Sequence, residues 1–415
     1  MSENTNVDQT TGEGKQKKGW KTVWKVALGI LLALVVLVAL FQAFSPYPAE
    51  YLIRAIRGGG DGPTVYDYKI FASRPMAAST SPFYFKEEPA EAMVQTLFEQ
   101  NSAIDDLDDF LEQHQTQAFI VIQNDTILYE KYFNEASRDS IVTSFSVAKA
   151  WNSALIGAAI DDGFIQNVDD PITDYLPELA ERDPAFADIT IHDLLRMSSG
   201  IKYEAGEELG LDGDIAKVYY YHDLRKLALE EPIVIDPPGS YWLYNNYHPL
   251  LLGMILERST GIPVATYLET RIWQPMGAEF DGSWSLDARG FEKMESGINA
   301  RAIDFAKFGR LYLNNGNWDG TQILPTDWVA QSTRPDTSPD SLFNGDSYYA
   351  LMWEGQRRDE PDYDYFAEGH YGQEIYVSPQ ANLIIVRNGE AYGEFGQTWE
   401  DIFYQFASDI ELEAD

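Results

Sequence analysis

A serine and a lysine lie three residues apart at the start of an apolar run, Thr143–Gly163, with the sequence TSFSVAKAWNSALIGAAIDDG. On a helix, Ser146 and Lys149 would be neighbours across one turn. A serine in a first helical turn lies among free backbone N–H groups, which favour a developing negative charge. A partly desolvated amine has a lowered pKa and can take the serine proton, which activates the oxygen as a nucleophile. The pair indicates a serine nucleophile with a lysine base.

The same spacing has a structural interpretation, since S-x-x-K also arises from a capping serine followed by a lysine that extends to solvent. The surrounding sequence favours chemistry. The residues after Lys149 are apolar on nearly every helical face, which predicts a deeply buried helix. An unpaired lysine at the entrance of such a helix is costly and needs a reason.

The elements around this helix predict an α+β fold. Ala118–Phe133 contains two strand-like runs around Asn124-Asp125, a hairpin signal, and two further runs flank residues 379–382. Residues 90–114 and 398–412 read as helical, and Gly163 is a natural end for the central helix. We expect an antiparallel sheet built from both chain ends, flanked by helices, with a mostly helical second subdomain.

The N-terminal region predicts a membrane anchor. Residues 23–44 approach the roughly 20 apolar residues that span a bilayer, and Trp20 and Trp24 lie at one edge. The lysines that precede or begin this run are Lys15, Lys17, Lys18, Lys21 and Lys25. By the positive-inside rule, residues 1–22 form a cytoplasmic tail of a single-pass protein of the bacterial inner membrane. A cleavable signal peptide is the alternative.

The remaining chain then divides into a juxtamembrane connector, residues 45–90, and a catalytic domain, residues 91–415, that faces the periplasm or the cell exterior. The connector contains RGGGDGP, a flexible break, and has no steady hydrophobic period.

Composition excludes several function classes. The formal charge of −36, from 66 acidic and 30 basic residues, argues against nucleic acid as a partner. The chain has no cysteine, so disulfides and cysteine chemistry are excluded. The 5 histidines show no metal-ligand spacing, and neither a G-x-S-x-G elbow nor a phosphate-binding loop is present. We expect no metal and no cofactor.

Several segments in one order resemble blocks of the serine β-lactamase and penicillin-binding-protein superfamily, specifically its class C-like branch. They are SFSVAKAW, ITIHDLLRMSSGIKY, PPGSYWLYNNYHPLLLGMILERSTG, GINARAIDFAKFGRLYLNNGNWDG and EGHYGQEIYVSPQANLIIVRNG. The resemblance covers about residues 90–410, and SFSVAKA with GHYGQ is similar to the 6-aminohexanoate-dimer-hydrolase-like group.

The resemblance implies roles for further residues. Tyr244-Asn245-Asn246 matches the second motif of the family, so Tyr244 would share proton transfer with Lys149, and Asn246 would bond Lys149 or the substrate amide. His370-Tyr371-Gly372 matches the third motif, after which the N–H of Gln373 would join that of Ser146 in an oxyanion hole. Without the resemblance, a turn with packed aromatics explains LYNNYH, and a surface histidine explains His370.

The middle of the chain carries Tyr219, Tyr220 and Tyr221, and the resemblance implies that this region lines the pocket. One of these tyrosines could donate a hydrogen bond to a substrate amide nitrogen. Aromatic packing on a helix is the alternative interpretation for each.

The sequence departs from true β-lactamases at the third motif, where His370 replaces a lysine and Tyr371 replaces a small threonine. These changes weaken recognition of a substrate carboxylate. We therefore expect a membrane-anchored serine hydrolase that acts on small esters or linear amides through an acyl-enzyme at Ser146. The alternatives are a peptidoglycan D,D-carboxypeptidase and a non-catalytic penicillin-binding-like sensor.

Overall fold

Two units make up the chain, Met1–Arg57 and Gly58–Asp415. The computed structural model describes residues 13–44, 49–57, 62–206, 213–338, 341–359, 361–393 and 396–414. The predicted tail, residues 1–22, and the RGGGDGP break lie partly outside these ranges.

Fourteen strands and fourteen α-helices are formed by the described residues. The strands are β1 Ser73–Met76, β2 Lys86–Glu87, β3 Thr116–Gln123, β4 Thr126–Tyr132, β5 Val142–Thr143, β6 Gly282–Ser285, β7 Ile298–Ala300, β8 Asn317–Trp318, β9 Thr321–Gln322, β10 Ser347–Tyr349, β11 Glu354–Arg357, β12 Tyr363–Gly369, β13 Gln373–Ser378 and β14 Leu383–Gly389. The helices are α1 Glu13–Phe44, α2 Ala49–Arg57, α3 Glu91–Phe98, α4 Leu107–Gln113, α5 Ala148–Asp161, α6 Pro177–Arg182, α7 Ile191–Leu195, α8 Asp214–Tyr220, α9 Leu224–Glu230, α10 Tyr247–Thr260, α11 Val264–Leu268, α12 Ala302–Leu313, α13 Thr326–Thr333 and α14 Trp399–Ala414.

The main sheet has eight strands in the order β10-β11-β12-β13-β14-β3-β4-β2. Strand β14 pairs antiparallel with β3, so strands from the two ends of the second unit are direct neighbours. The edge strand β2 runs parallel to β4. The sequence predicted a purely antiparallel sheet, so this parallel pair was not expected. The mixed helix-and-sheet class agrees with the sequence-based prediction.

Local sequence explains the hairpin that opens this sheet. Asn124 and Asp125 join β3 to β4 with φ values of 52° and 58°. Both residues therefore adopt the left-handed conformation that a two-residue primed turn requires, and Asn and Asp tolerate it best among non-glycine residues.

Helices cover both faces of the main sheet, so the side chains on both faces of its central strands are apolar. Along β3, Ile120 and Ile122 join the larger core cluster, which includes Trp151 of α5. The alternate residues Phe119 and Val121 join a second cluster with Phe403 of α14. This arrangement explains why AFIVI is a continuous apolar run rather than an alternating one.

Helix α5 is the central element of the larger core. All of its residues from Ala148 to Ala159 are buried, and the ring of Trp151 stacks on Phe308 with centroids 3.7 Å apart. The helix ends at Asp161, and Gly163 follows with a φ of +77°. The predicted end of this helix is confirmed, because glycine adopts the left-handed conformation without a steric penalty.

Residues 91–114 form two helices, α3 and α4, rather than one. Asp106 begins the second helix, where its side chain accepts a hydrogen bond from Asp109 N at 2.9 Å. A carboxylate in this position satisfies a free N–H group and favours a new helix start.

The N-terminal unit contains one helix with the length and apolarity to cross a membrane. Trp20–Leu40 spans 21 residues with a mean hydropathy of 2.7. A signal sequence satisfies the same criteria, so composition alone leaves both interpretations of this segment.

Candidate active site

Ser146 lies in a 3₁₀ turn, Phe145–Val147, that leads directly into α5. The sequence places it in the first turn of an α-helix, whereas the structure places it just before that helix. Phe145 has a φ of +43°, a strained value for a residue with a side chain. Its ring packs edge-on against His370 and Tyr371 at centroid distances of 5.5 and 5.6 Å, so the turn is held by contacts with a distant loop.

Lys149 reaches Ser146 from the first turn of α5. Its Nζ lies 2.8 Å from Ser146 Oγ and 3.3 Å from the carbonyl oxygen of Glu295. The residue is 2% exposed. Burial lowers the pKa of the Lys149 amine to about 7, against the opposing effect of the Glu295 and Glu354 carboxylates. A substantial fraction of this amine is therefore neutral near pH 7 and can accept a proton.

Tyr244 comes to the site from the segment before α10. Asn245 fixes this segment, because its Nδ2 donates to Ile201 O at 3.1 Å and its Oδ1 accepts from Tyr247 N at 2.9 Å. Lys149 Nζ lies 4.6 Å from the centroid of the Tyr244 ring. Burial raises the pKa of the Tyr244 phenol well above its usual value, and a hydrogen bond with Ser146 opposes that rise.

Ser146 lines a cavity of about 450 Å³. Six of the residues singled out from the sequence line it: Ser146, Tyr219, Tyr244, Asn246, His370 and Tyr371. Lys149 does not line this cavity. Together with Ser146 and Tyr244, it borders a second, smaller space. The three catalytic candidates are thus in mutual contact beside a cavity of ligand size.

Asn246 lines the cavity, but its side chain is hydrogen-bonded to Tyr203 and not to Lys149. Its Nδ2 donates to the hydroxyl oxygen of Tyr203 at 2.8 Å, and its buried Oδ1 has no hydrogen-bond partner among the described residues. That orientation leaves an acceptor for a substrate N–H group, which is one of the two roles expected for Asn246. Tyr203 is the last residue of the block ITIHDLLRMSSGIKY, but no role was assigned to it from the sequence.

His370, Tyr371 and Gly372 form the turn between β12 and β13. His370 lines the cavity, and the hydroxyl of Tyr371 donates to Pro63 O at 2.6 Å. Gly372 has a φ of +70° and does not line the cavity. Its backbone passes close to the Arg387 guanidinium, which leaves no room for a side chain.

Gln373 is fully buried and does not line the cavity. Its side-chain amide donates to Gly389 O at 2.6 Å and to His370 O at 3.1 Å. Across the hairpin its partner is Gly369, and a Cβ atom at Gly369 would lie 3.2 Å from Ser146 N. The end of β12 is thus next to the Ser146 backbone, while the oxyanion role of Gln373 stays a prediction.

The three consecutive tyrosines have different surroundings. Tyr219 lines the cavity, and its hydroxyl donates to Asp67 Oδ2 at 2.8 Å. Tyr220 is buried, and its hydroxyl has no partner among the described residues. Neither Tyr220 nor Tyr221 lines the cavity. Of the three, Tyr219 is the one positioned to contact a substrate.

Three glutamates that sequence reasoning missed also line the cavity: Glu295, Glu354 and Glu368. Burial raises the pKa of Glu354 to about 7 and that of Glu368 to about 8, and repulsion by neighbouring carboxylates adds to both shifts. With 66 acidic residues in the chain, no local pattern distinguishes these three from the rest.

Comparison with protein families identifies the family of this chain. The Beta-lactamase family profile matches residues 104–390, and the chain belongs to that family. The chain is a serine hydrolase. The resemblance inferred from its motifs is therefore confirmed.

Individual relatives are distant in sequence. The 6-aminohexanoate-dimer hydrolase of Paenarthrobacter ureafaciens is 27% identical over 324 residues, which cover 72% of this chain and 78% of the relative. Esterase EstB of Burkholderia gladioli is 29% identical over 189 residues, which cover 41% of this chain and 48% of the esterase.

Solved structures share the fold. A candidate 6-aminohexanoate-dimer hydrolase from Bacillus anthracis superposes with a TM-score of 0.71 at 23% identity, covering 85% of this chain and 93% of the other. A class C β-lactamase superposes with a TM-score of 0.57 at 15% identity, covering 78% and 97%.

Proposed function

We propose that this protein is a membrane-anchored serine hydrolase that cleaves small esters or linear amides through an acyl-enzyme at Ser146. The observation that carries the proposal is the 2.8 Å distance between Lys149 Nζ and Ser146 Oγ inside a buried site. Relatives named as an esterase and as a 6-aminohexanoate-dimer hydrolase support the two bond types.

The two pKa shifts support Lys149 as the base of the first proton transfer. Its lowered pKa makes the neutral amine available near pH 7, whereas the raised pKa of Tyr244 keeps the phenol protonated. Lys149 takes the Ser146 proton while Ser146 Oγ bonds to the carbonyl carbon. Tyr244 is then the proton donor for the leaving alkoxide or amine, and the Lys149 ammonium restores its proton.

Deacylation reverses these roles. A water molecule attacks the acyl carbonyl carbon, and its proton passes to the Tyr244–Lys149 pair. As the bond between Ser146 Oγ and the acyl carbon breaks, the pair returns that proton to Ser146 Oγ. The carboxylic acid is released and the serine hydroxyl is regenerated. The Ser146 N–H supplies one oxyanion donor, and the backbone around Gly369–Gln373 is the proposed source of the second.

The lining of the cavity favours this substrate class over the D,D-carboxypeptidase alternative. Peptidoglycan stems end in a carboxylate, as β-lactams do, and a fixed cation would recognise that group. No lysine or arginine is among the described residues that line the cavity. His370 is the one group there that can carry a positive charge when protonated.

Helix α1 is the proposed membrane anchor, with the lysine-rich flank on the cytoplasmic side and the catalytic unit in the periplasm or outside the cell. Alkaline carbonate extraction of bacterial membranes tests the anchor, because a single-pass protein stays in the pellet. Protease added to spheroplasts should degrade the catalytic unit. Recovery of a shortened, soluble chain would instead establish the signal-peptide interpretation.

Labelling with a fluorophosphonate probe tests the enzyme. The full-length chain in detergent should be labelled, and the label should be lost in Ser146→Ala. The matched control is Ser102→Ala, which removes an exposed hydroxyl and should be labelled like the parent. If the parent neither reacts with the probe nor hydrolyses p-nitrophenyl esters, the non-catalytic sensor becomes the better description.

A further inference from the structure

A short segment of the chain that precedes the matched family profile forms part of the cavity wall. The profile begins at residue 104, whereas Gly62 and Pro63 already line the cavity. Asp67 follows shortly after them and is 3% exposed. The sequence predicted only a connector in this part of the chain. We call residues 63–67 the wall segment.

Two hydroxyl groups hold the backbone of the wall segment. The hydroxyl of Tyr371, in the turn after β12, donates to Pro63 O at 2.6 Å. Thr143 Oγ1 lies 3.1 Å from Val65 O, and Thr143 ends β5, three residues before Ser146 in the chain. The wall segment is therefore fixed to two separate elements that flank Ser146.

Asp67 makes a third contact, through its side chain. Tyr219 of α8 donates its hydroxyl hydrogen to Asp67 Oδ2 at 2.8 Å, and Thr64 Oγ1 donates to Asp67 Oδ1 at 2.6 Å. Burial raises the pKa of the Tyr219 phenol well above its usual value, and the Asp67 carboxylate raises it further. The phenol therefore keeps its proton and shares it with Asp67, so this proton is not available to a substrate amide nitrogen.

The phenol end of Tyr219 depends on Asp67, whereas its backbone is held elsewhere. The carbonyl oxygen of Tyr219 accepts from Lys293 Nζ at 2.5 Å. The amine of Lys149 has its own contact with Ser146 Oγ at 2.8 Å. Without the Asp67 contact, the Tyr219 ring that lines the cavity would shift, while Ser146 and Lys149 would keep their positions.

We propose that the wall segment is part of the substrate-binding site, and that Asp67 is a positioning residue that holds the Tyr219 ring where it binds substrate. The inference rests on the proposed hydrolase function and adds to it a binding element outside the matched family profile. Asp67 acts on binding through Tyr219 and not on the chemical step. Its loss should therefore raise KM and leave kcat nearly unchanged.

Kinetics of the full-length chain in detergent test this role, with p-nitrophenyl butyrate as the probe. Asp67→Ala should raise KM about tenfold and change kcat by less than about threefold. Tyr219→Phe removes the same hydrogen bond and keeps the ring, so it should raise KM to a similar extent. A purely structural role for Asp67 would instead lower kcat, through loss of folded enzyme, at an unchanged KM.

Two further variants serve as the rescue and the control. In Asp67→Asn the Oδ1 atom can still accept from Tyr219 while Nδ2 donates to Thr64 Oγ1, so KM should stay within about twofold of the parent. Asp188→Ala removes an exposed carboxylate outside the site and should have the kinetic constants of the parent.

A double variant tests whether Asp67 acts through Tyr219. Asp67→Ala and Tyr219→Phe each remove one side of a single contact. The double variant should therefore have the KM of either single variant, because residues that share one interaction have non-additive effects. Independent roles would make the two increases in KM multiply.

The outcomes separate the two proposals. Ser146-dependent hydrolysis with a parental KM in both single variants, or increases that multiply in the double variant, overturns the role of Asp67 and leaves the hydrolase intact. If Asp67→Ala does not fold, Tyr219→Phe decides alone: a raised KM supports the proposal and a parental KM overturns it. Absence of any Ser146-dependent hydrolysis by the parent overturns the hydrolase, and the inference with it.

Discussion

The amine of Lys149 lies 2.8 Å from the hydroxyl oxygen of Ser146, although the lysine side chain is almost completely buried. The 3₁₀ turn that carries Ser146 continues into α5, so the proposed nucleophile and its proposed base belong to one continuous segment. The amine is therefore positioned before substrate arrives, and burial of the same side chain lowers its pKa.

The pH dependence of the reaction should report Lys149. With a pKa of about 7, the amine is protonated and inactive as a base below that pH and neutral above it. We expect kcat/KM for a neutral ester to rise with pH through a midpoint near 7. Because the Glu354 carboxylate raises the pKa of Lys149, Glu354→Gln should move the midpoint to lower pH. A midpoint near 10 would contradict the assignment.

Replacing the base should separate activity from stability. Lys149→Met keeps a stem of four heavy atoms and removes the amine, so we expect kcat/KM to fall by about 10²–10⁴-fold. The unfolding midpoint should stay constant or rise, because a buried group that resists protonation is replaced by an apolar one. The gain should be larger at pH 6 than at pH 9, since the unfolded chain binds the proton that the folded site rejects.

Ester turnover and thermal unfolding in the same detergent measure both quantities. A large drop in the unfolding midpoint of Lys149→Met would instead assign Lys149 a structural role.

We expect Tyr244 to contribute to catalysis through its hydroxyl group and not through its ring. Tyr244→Phe keeps a ring that packs near Trp242 and Tyr349, with centroids 6.2 and 6.5 Å away, so the fold should be retained. Loss of the proton donor should lower kcat by about 10²–10³-fold. The deficit should be larger for amides than for p-nitrophenyl esters, since p-nitrophenolate leaves without a proton. Equal losses on both substrates would argue against a proton-transfer role.

The close approach of β12 to the nucleophile predicts an effect of a single methyl group. In Gly369→Ala the new Cβ would meet Ser144 O and lie 3.2 Å from Ser146 N, which forces the strand or the turn to shift. We expect kcat/KM to fall at least tenfold and stability to fall by about 1–3 kcal/mol. Gly345→Ala is the matched control, since no atom lies within 4 Å of its added Cβ. Full activity of Gly369→Ala would show that the turn tolerates displacement.

Much of the architecture could be predicted because its signals are local. Asn124-Asp125 specifies a turn through its own backbone preferences, and Gly163 terminates α5 for the same kind of reason. The apolar run after Lys149 predicts burial on every side. The division of residues 91–114 into α3 and α4 was missed, because it depends on the single capping side chain of Asp106.

By itself, the sequence determined which reactive groups are available: Ser146 and Lys149 are neighbours in any helical or 3₁₀ conformation, and Tyr244 follows from a motif. Only the tertiary structure decided which other groups meet them. Gly369 lies beside Ser146, Gln373 is buried away from the cavity, and Glu354 and Glu368 converge on the lysine, because β11 to β13 pair in one register. The physical reason is that short-range preferences fix individual turns and helices, whereas the contents of a cavity depend on contacts between distant segments.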